Sequence, residues 1–127
     1  MPTQVDTVKI LILVEDEADM RMVIRALISR DPRIEIVGEA ANAVDAIELA
    51  RTVEPGLVIL DHQLDGDIMG VSAAPMIKAV APMAKILLFS AFDMREEVAR
   101  EPAIDEFLSK SRVGQLLPTV QRMLDLR

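Results

Sequence analysis

Two hydrophobic periods alternate along the chain. Val8 to Val14 (VKILILV) is almost continuously apolar and rich in β-branched residues, the pattern of a strand buried on both faces. Beyond Glu15-Asp16-Glu17, apolar residues return at Met20, Val23, Ile24 and Leu27, a helical stripe that Asp31-Pro32 interrupts. Ile34 to Ala40 (IEIVGEA) partly alternates and predicts a second strand. Ala43, Ala46, Ile47 and Ala50 mark a second helix that ends near Glu54-Pro55-Gly56. Leu57 to Leu60 (LVIL) predicts a third strand running straight into Asp61. A third helix is expected after Gly70, with Pro75 tolerable only in its first turn, where no N–H is needed. Lys85 to Phe89 (KILLF) is a fourth strand. Asp93 and Glu96 have capping-box spacing for a short helix that Pro102 stops. Glu106 to Ser109 (EFLS) is a fifth strand. Leu116, Leu117, Val120 and Leu124 give the last helix its apolar stripe, with Pro118 in the first turn.

Strands alternating with helices imply an α/β fold in which a parallel sheet is covered on both faces. The continuous apolar strands belong in its interior, whereas the more polar IEIVGEA suits an edge. The expected arrangement is a doubly wound, five-stranded sheet of order 2-1-3-4-5 with five helices, the fourth of them short. No repeat or interdomain linker interrupts the pattern. Residues 1–127 therefore read as one domain, with an ordered core at about 8–126 and an N-terminal extension at 1–7.

In such sheets, sites form beyond the carboxyl ends of the strands. Strand one ends in Glu15 and Asp16, strand three in Asp61, strand four in Ser90 and strand five in Lys110. Strand two ends in Ala40-Ala41-Asn42, which offers no acid or base. Each residue also has a structural explanation: Asp16 and Glu17 as helix-start carboxylates, Asp61 as a turn former, Ser90 as a cap, Lys110 as a solvated cation. Those explanations would have to hold together at four strand ends on one edge of one sheet. Crowded carboxylates call for a cation, and Mg²⁺ suits oxygen ligands of this kind. Asp61 could then attack phosphorus as a nucleophile, while Lys110 and Ser90 meet other phosphoryl oxygens. His62, the single histidine, reads as an exposed loop residue.

Composition narrows the field. The chain carries 21 acidic and 14 basic residues, a net charge of −7, which disfavours nucleic acid and anionic membranes as direct partners. Aromatic residues are only 2%, too few for a flavin or single-strand nucleic-acid stacking platform. No apolar run approaches the roughly 18–20 residues of a membrane span. The absence of cysteine suits a reducing cytoplasm.

The segments ILILVEDE, VILDHQL, ILLFSA and FLSK, in this order and spacing, resemble the receiver domain of two-component response regulators. The resemblance covers nearly the whole chain and implies a flavodoxin-like, cytoplasmic signalling domain. By it, Asp61 is the phosphoacceptor, and Glu15, Asp16, Asp61 and the backbone carbonyl of Gln63 hold Mg²⁺. Lys110 and Ser90 assist the chemistry, and Ser90 and Phe107 are the switch positions. The implied phosphodonor is a sensor histidine kinase or phosphotransfer protein. A downstream protein would meet the face made by helix four, strand five and helix five, and a homodimer is among the expected assemblies. The implied protein is a switch rather than an enzyme with independent substrate turnover. EIVGEAANAVDAIELA is most similar to receivers attached to helix-turn-helix output domains, so the chain could be an excised receiver of a DNA-binding regulator.

Departures from the family pattern mark where the fold is expected to differ. The first acidic position is Glu15. The loop after Asp61 (HQLDGDIMG) has Asp65 where proline is usual and is one residue longer before Gly70. Ser111 stands where a proline often follows the lysine in a cis bond, and a cis Lys110–Ser111 bond would cost about 3–4 kcal/mol. The spacing from Ser90 to Lys110 is short, which predicts a remodelled switch face. Two other classes compete. A Mg²⁺-dependent phosphohydrolase would place a second Asp where Gln63 stands. A pseudo-receiver used only for binding would not need Asp16, Asp61, Ser90 and Lys110 intact.

Overall fold

The computed structural model describes residues 7–127, apart from the side chains of Leu11, Ile12 and Leu13; the expected extension, but for Thr7, lies outside the described residues. The elements are β1 (Val8–Val14), α1 (Ala18–Ile28), β2 (Ile34–Ala40), α2 (Ala43–Val53), β3 (Leu57–Leu60), α3 (Gly70–Val80), β4 (Lys85–Ser90), α4 (Arg95–Ala99), β5 (Glu106–Ser109) and α5 (Leu116–Met123). A 3₁₀ turn over Lys110–Gln115 leads into α5. All five strands pair in parallel, in the predicted order β2-β1-β3-β4-β5.

The continuous apolar runs are explained by two cores, one on each face of the sheet. Leu57 and Ile59 of β3, with Leu87 and Phe89 of β4, pack beneath Ile24 and Ile28 of α1 and Leu116 and Val120 of α5. The alternate residues Val58, Leu60, Ile86 and Leu88 face α2 and α3. There Ala46 and Ala50 lie in the same core as Ala73 and Ala74, small side chains that let the two helices settle close to the sheet, with the larger Ile77 buried beside them. Each fully buried leucine, isoleucine or phenylalanine contributes about 1.5–3 kcal/mol.

Three local expectations are corrected. Val23 is 42% exposed, so the inward stripe of α1 runs through Met20, Ile24, Leu27 and Ile28 instead. Pro75 lies inside α3, in its second turn rather than its first. Its ring faces solvent, where water can take the Val71 carbonyl that the missing N–H leaves free. Asp93 and Glu96 form no capping box: Met94 is the N-cap of α4, and the Asp93 Oδ1 accepts the Arg95 N–H at 3.2 Å. Arg95 holds both Asp93 oxygens, which keeps that carboxylate from turning towards Glu96. The Lys110–Ser111 bond is trans. Ser111 donates its N–H to the Ser109 Oγ at 3.3 Å, a bond proline could not make, and this opens the 3₁₀ turn.

Asp31, read as a simple helix stop, is a buried hub. Its carboxylate accepts the Arg33 backbone N–H at 2.9 Å, the Arg33 guanidinium at 3.0 and 2.8 Å, and Gln121 Nε2 of α5 at 3.0 Å. Hydrogen bonds from Arg33 and then Gln121 hold the Asp31 carboxyl well below the usual carboxylate range. The folded state thus favours the ionised form, so this stabilisation is complete above about pH 4 and fades as the pH falls towards the depressed folded value. Asp31→Asn is expected to lose about 1–2 kcal/mol in urea unfolding at pH 7, with the gap to wild type shrinking below about pH 4. A pH-independent gap would contradict this assignment.

Close approach fixes the start of α3. A Cβ placed on Gly70 would lie 2.1 Å from the Asp61 carbonyl oxygen and 2.8 Å from His62 Cα. Both neighbours are backbone and cannot swing away. Gly70→Ala is expected to destabilise by about 3 kcal/mol, the upper range for overpacking, and wild-type stability in the same urea titration would refute the contact.

Candidate functional site

Sheet register delivers the reactive residues to one edge. Val14 pairs with Leu60, so Glu15 and Asp61 emerge side by side from β1 and β3. Ser90 pairs with Ser109, and Lys110 follows directly. The Glu15 N–H donates to the Ala40 carbonyl at 3.1 Å and the Asp61 N–H to the Val14 carbonyl at 3.0 Å, extending the ladders into the site.

Lys110 ties the acids together. Its Nζ donates to Glu15 Oε1 at 2.6 Å and to Asp61 Oδ2 at 2.9 Å. Glu15 and Asp61 are only 1% and 6% exposed, so these are low-dielectric contacts in which each charge needs its partner. Burial pulls the Lys110 pKa down, but the hydrogen bonds to Glu15 and Asp61 and their charges outweigh it and hold it above the ordinary lysine range. Burial pushes the Glu15 carboxyl up; the Lys110 hydrogen bond and the Glu17 N–H pull it down, the Asp61 charge pushes it further up, and the net shift is upward. One carboxylate oxygen from each of Glu15, Asp16 and Asp61 lies within 4.8 Å of the others. All three are hard oxygen donors, a set that fits a small divalent cation.

The loop after Asp61 is pinned at several points. The His62 N–H donates to Asp61 Oδ1 at 2.7 Å. The His62 carbonyl and Nδ1 accept the first two N–H groups of α3, from Gly70 at 2.8 Å and Val71 at 3.4 Å. The single histidine is therefore a helix-start acceptor and not merely an exposed loop residue. Gln63 is exposed, but Leu64 beside it is buried in the α2–α3 core. Asp65 forms an isolated parallel bridge with Asn42, its N–H donating to the Ala41 carbonyl at 3.2 Å, and Gly66 follows at φ +92°. The loop is thus anchored on both sides of Gln63.

Ser90 is fully buried, and its Oγ accepts the Phe92 N–H at 3.2 Å within its own loop. Phe107, half-buried on β5, packs against the α2–α3 core on one side. On the other it lines a cleft of about 630 Å³ with Asp93, Arg95, Val98 and Arg112. The α4 helix beside this cleft has five residues, the short fourth helix that the sequence predicts. The structure thus brings Glu15, Asp16, Asp61 and Lys110 into one cluster, with Gln63 in the adjoining loop and Ser90 and Phe107 on the neighbouring strands. Sequence reasoning missed Arg21, whose Nη1 donates to the Glu15 carbonyl at 2.7 Å. A helical position one turn and a half after the acidic pair was its only signal.

The response regulator receiver domain family matches residues 11–121. The response regulator protein VraR of Staphylococcus aureus is 34% identical over 107 residues, which cover 83% of this chain and 50% of VraR. The chain spans about half the length of that relative. Among solved structures, a LuxR-family two-component response regulator from Aurantimonas sp. SI85-9A1 superposes with a TM-score of 0.85 at 27% identity, covering 94% of this chain and 86% of that one. The response regulator domain of Thermotoga maritima CheB shares the fold, with a TM-score of 0.81 at 20% identity over 95% of this chain and 98% of its own. The chain is a member of the receiver domain family of two-component response regulators.

Proposed function

We propose that this receiver accepts a phosphoryl group on Asp61 from a phosphohistidine donor, with Mg²⁺ held by Glu15, Asp16, Asp61 and the Gln63 carbonyl. The observation that carries the reading is the Lys110 ammonium lying across Glu15 and Asp61. A cation already balances the acids, at the place where charge must be balanced as an anionic phosphoryl group approaches. Bound Mg²⁺ would shield that approach and offset charge on the phosphoryl oxygens. An Asp61 carboxylate oxygen forms the new O–P bond as the donor's N–P bond breaks, and the departing imidazole takes up a proton from solvent. Lys110 then exchanges Asp61 for a phosphoryl oxygen, and Ser90 exchanges its bond to the Phe92 N–H for another.

Those two moves connect the site to the surface. Releasing the Phe92 N–H frees the β4–α4 loop, while Phe107 borders the cleft between α4 and β5. The domain acts as a cytoplasmic switch for a downstream protein at the α4–β5–α5 face, without independent substrate turnover. Its net charge of −7 argues that any nucleic-acid binding belongs to other segments. Intact-protein mass after incubation with acetyl phosphate tests the reading. One phosphoryl adduct that requires Mg²⁺ and is absent from Asp61→Asn is expected. An adduct that persists in Asp61→Asn, or none from either acetyl phosphate or a phosphorylated histidine kinase, would overturn it.

A further inference from the structure

We infer that Arg21 is a positioning residue for the acidic pair, holding the Glu15–Asp16 peptide in the orientation that Mg²⁺ binding needs. The inference rests on the proposed metal site and concerns a residue outside its ligand set. Arg21 sits on the first turns of α1 and reaches back, its Nη1 donating to the Glu15 carbonyl at 2.7 Å. The partner of that carbonyl is a charged side chain, a stronger and more directional donor than a neutral amide.

The two acids are held differently. Glu15 has its side chain fixed by the Glu17 N–H on Oε2 at 3.1 Å and by Lys110 on Oε1. The Asp16 carboxylate makes no hydrogen bond among the described residues, so its direction is inherited from the backbone. That backbone is the planar peptide whose oxygen Arg21 grips. Were Lys110 to turn from the acids to a phosphoryl group, Arg21 would remain behind them, bound to the Glu15 carbonyl.

Arg21 is itself steered. Its Nε lies 3.4 Å from Glu39 Oε1 on the edge strand β2, and Arg25 takes the other Glu39 oxygen. Both Arg21 and Glu39 are about one-quarter exposed, which leaves the pair partly desolvated. Glu39, shared with Arg25, steers the Arg21 guanidinium towards the Glu15 carbonyl. Residues that orient metal ligands in this indirect way commonly change metal affinity tenfold or more when removed.

Calorimetric Mg²⁺ titration of wild type, Arg21→Gln and Arg21→Lys, beside urea unfolding without metal, tests the inference. Arg21→Gln is expected to weaken Mg²⁺ binding about tenfold. Its phosphorylation rate should recover at saturating Mg²⁺, and Arg21→Lys, which keeps a charged donor, should restore part of the affinity. Should Arg21→Gln prove too unstable to titrate, Arg21→Lys against wild type still reads the effect as a smaller loss. Unchanged Mg²⁺ affinity in folded variants would overturn the inference, as would a loss matched by an equal loss of metal-free stability. A wild-type chain that binds no Mg²⁺ would overturn the metal site itself, and the role of Arg21 with it.

Discussion

Three carboxylates converge at the end of a buried sheet and repel one another, and the arrangement of the two buried ones, Glu15 and Asp61, depends on the ammonium that lies between them. Lys110 reaches from the end of β5 to Glu15 on β1 and Asp61 on β3. The chain thereby ties strand ends that are not all neighbours, since β4 lies between β3 and β5. An ion triple this buried adds little net stability, because desolvation consumes most of the Coulomb attraction. Its consequence is positional. Removing Lys110 would leave both acids unpaired in a low dielectric, so the ammonium is what holds them in a defined arrangement.

The scaffold around the triple is built to resist adjustment. Interior strands are apolar on both faces, so neither β3 nor β4 can slip by one residue without exchanging its two cores. On the loop side, Gly70 brings α3 against the Asp61 backbone, and His62 supplies two acceptors for the helix start. Leu64 and the Asn42–Asp65 bridge then fix the longer loop. The loop turns at Gly66, which adopts φ +92°.

The sheet and the main site were legible in the sequence because each strand is a short apolar run ending in a polar residue. Once order 2-1-3-4-5 is assumed, the strand ends fall on one edge, and Glu15, Asp16, Asp61 and Lys110 must meet. Residues whose roles depend on partners far along the chain were less legible. Asp31 looked like a turn former, yet one of its partners is Gln121 on α5, 90 residues away. Arg21 and His62 act through backbone groups, for which periodicity carries no signal. Val23 and Pro75 were misplaced for a related reason: a stripe of apolar spacing does not say which flank the neighbouring helix covers, nor which carbonyl solvent can satisfy.

Lys110 balances the acids where the proposed divalent cation would bind. A calorimetric Mg²⁺ titration of Lys110→Met beside wild type tests it most directly. Loss of a competing unit charge at hydrogen-bond distance should tighten Mg²⁺ binding by about tenfold or more. Equal or weaker binding by a folded Lys110→Met would contradict the claim and leave Lys110 as a structural strut between two acids.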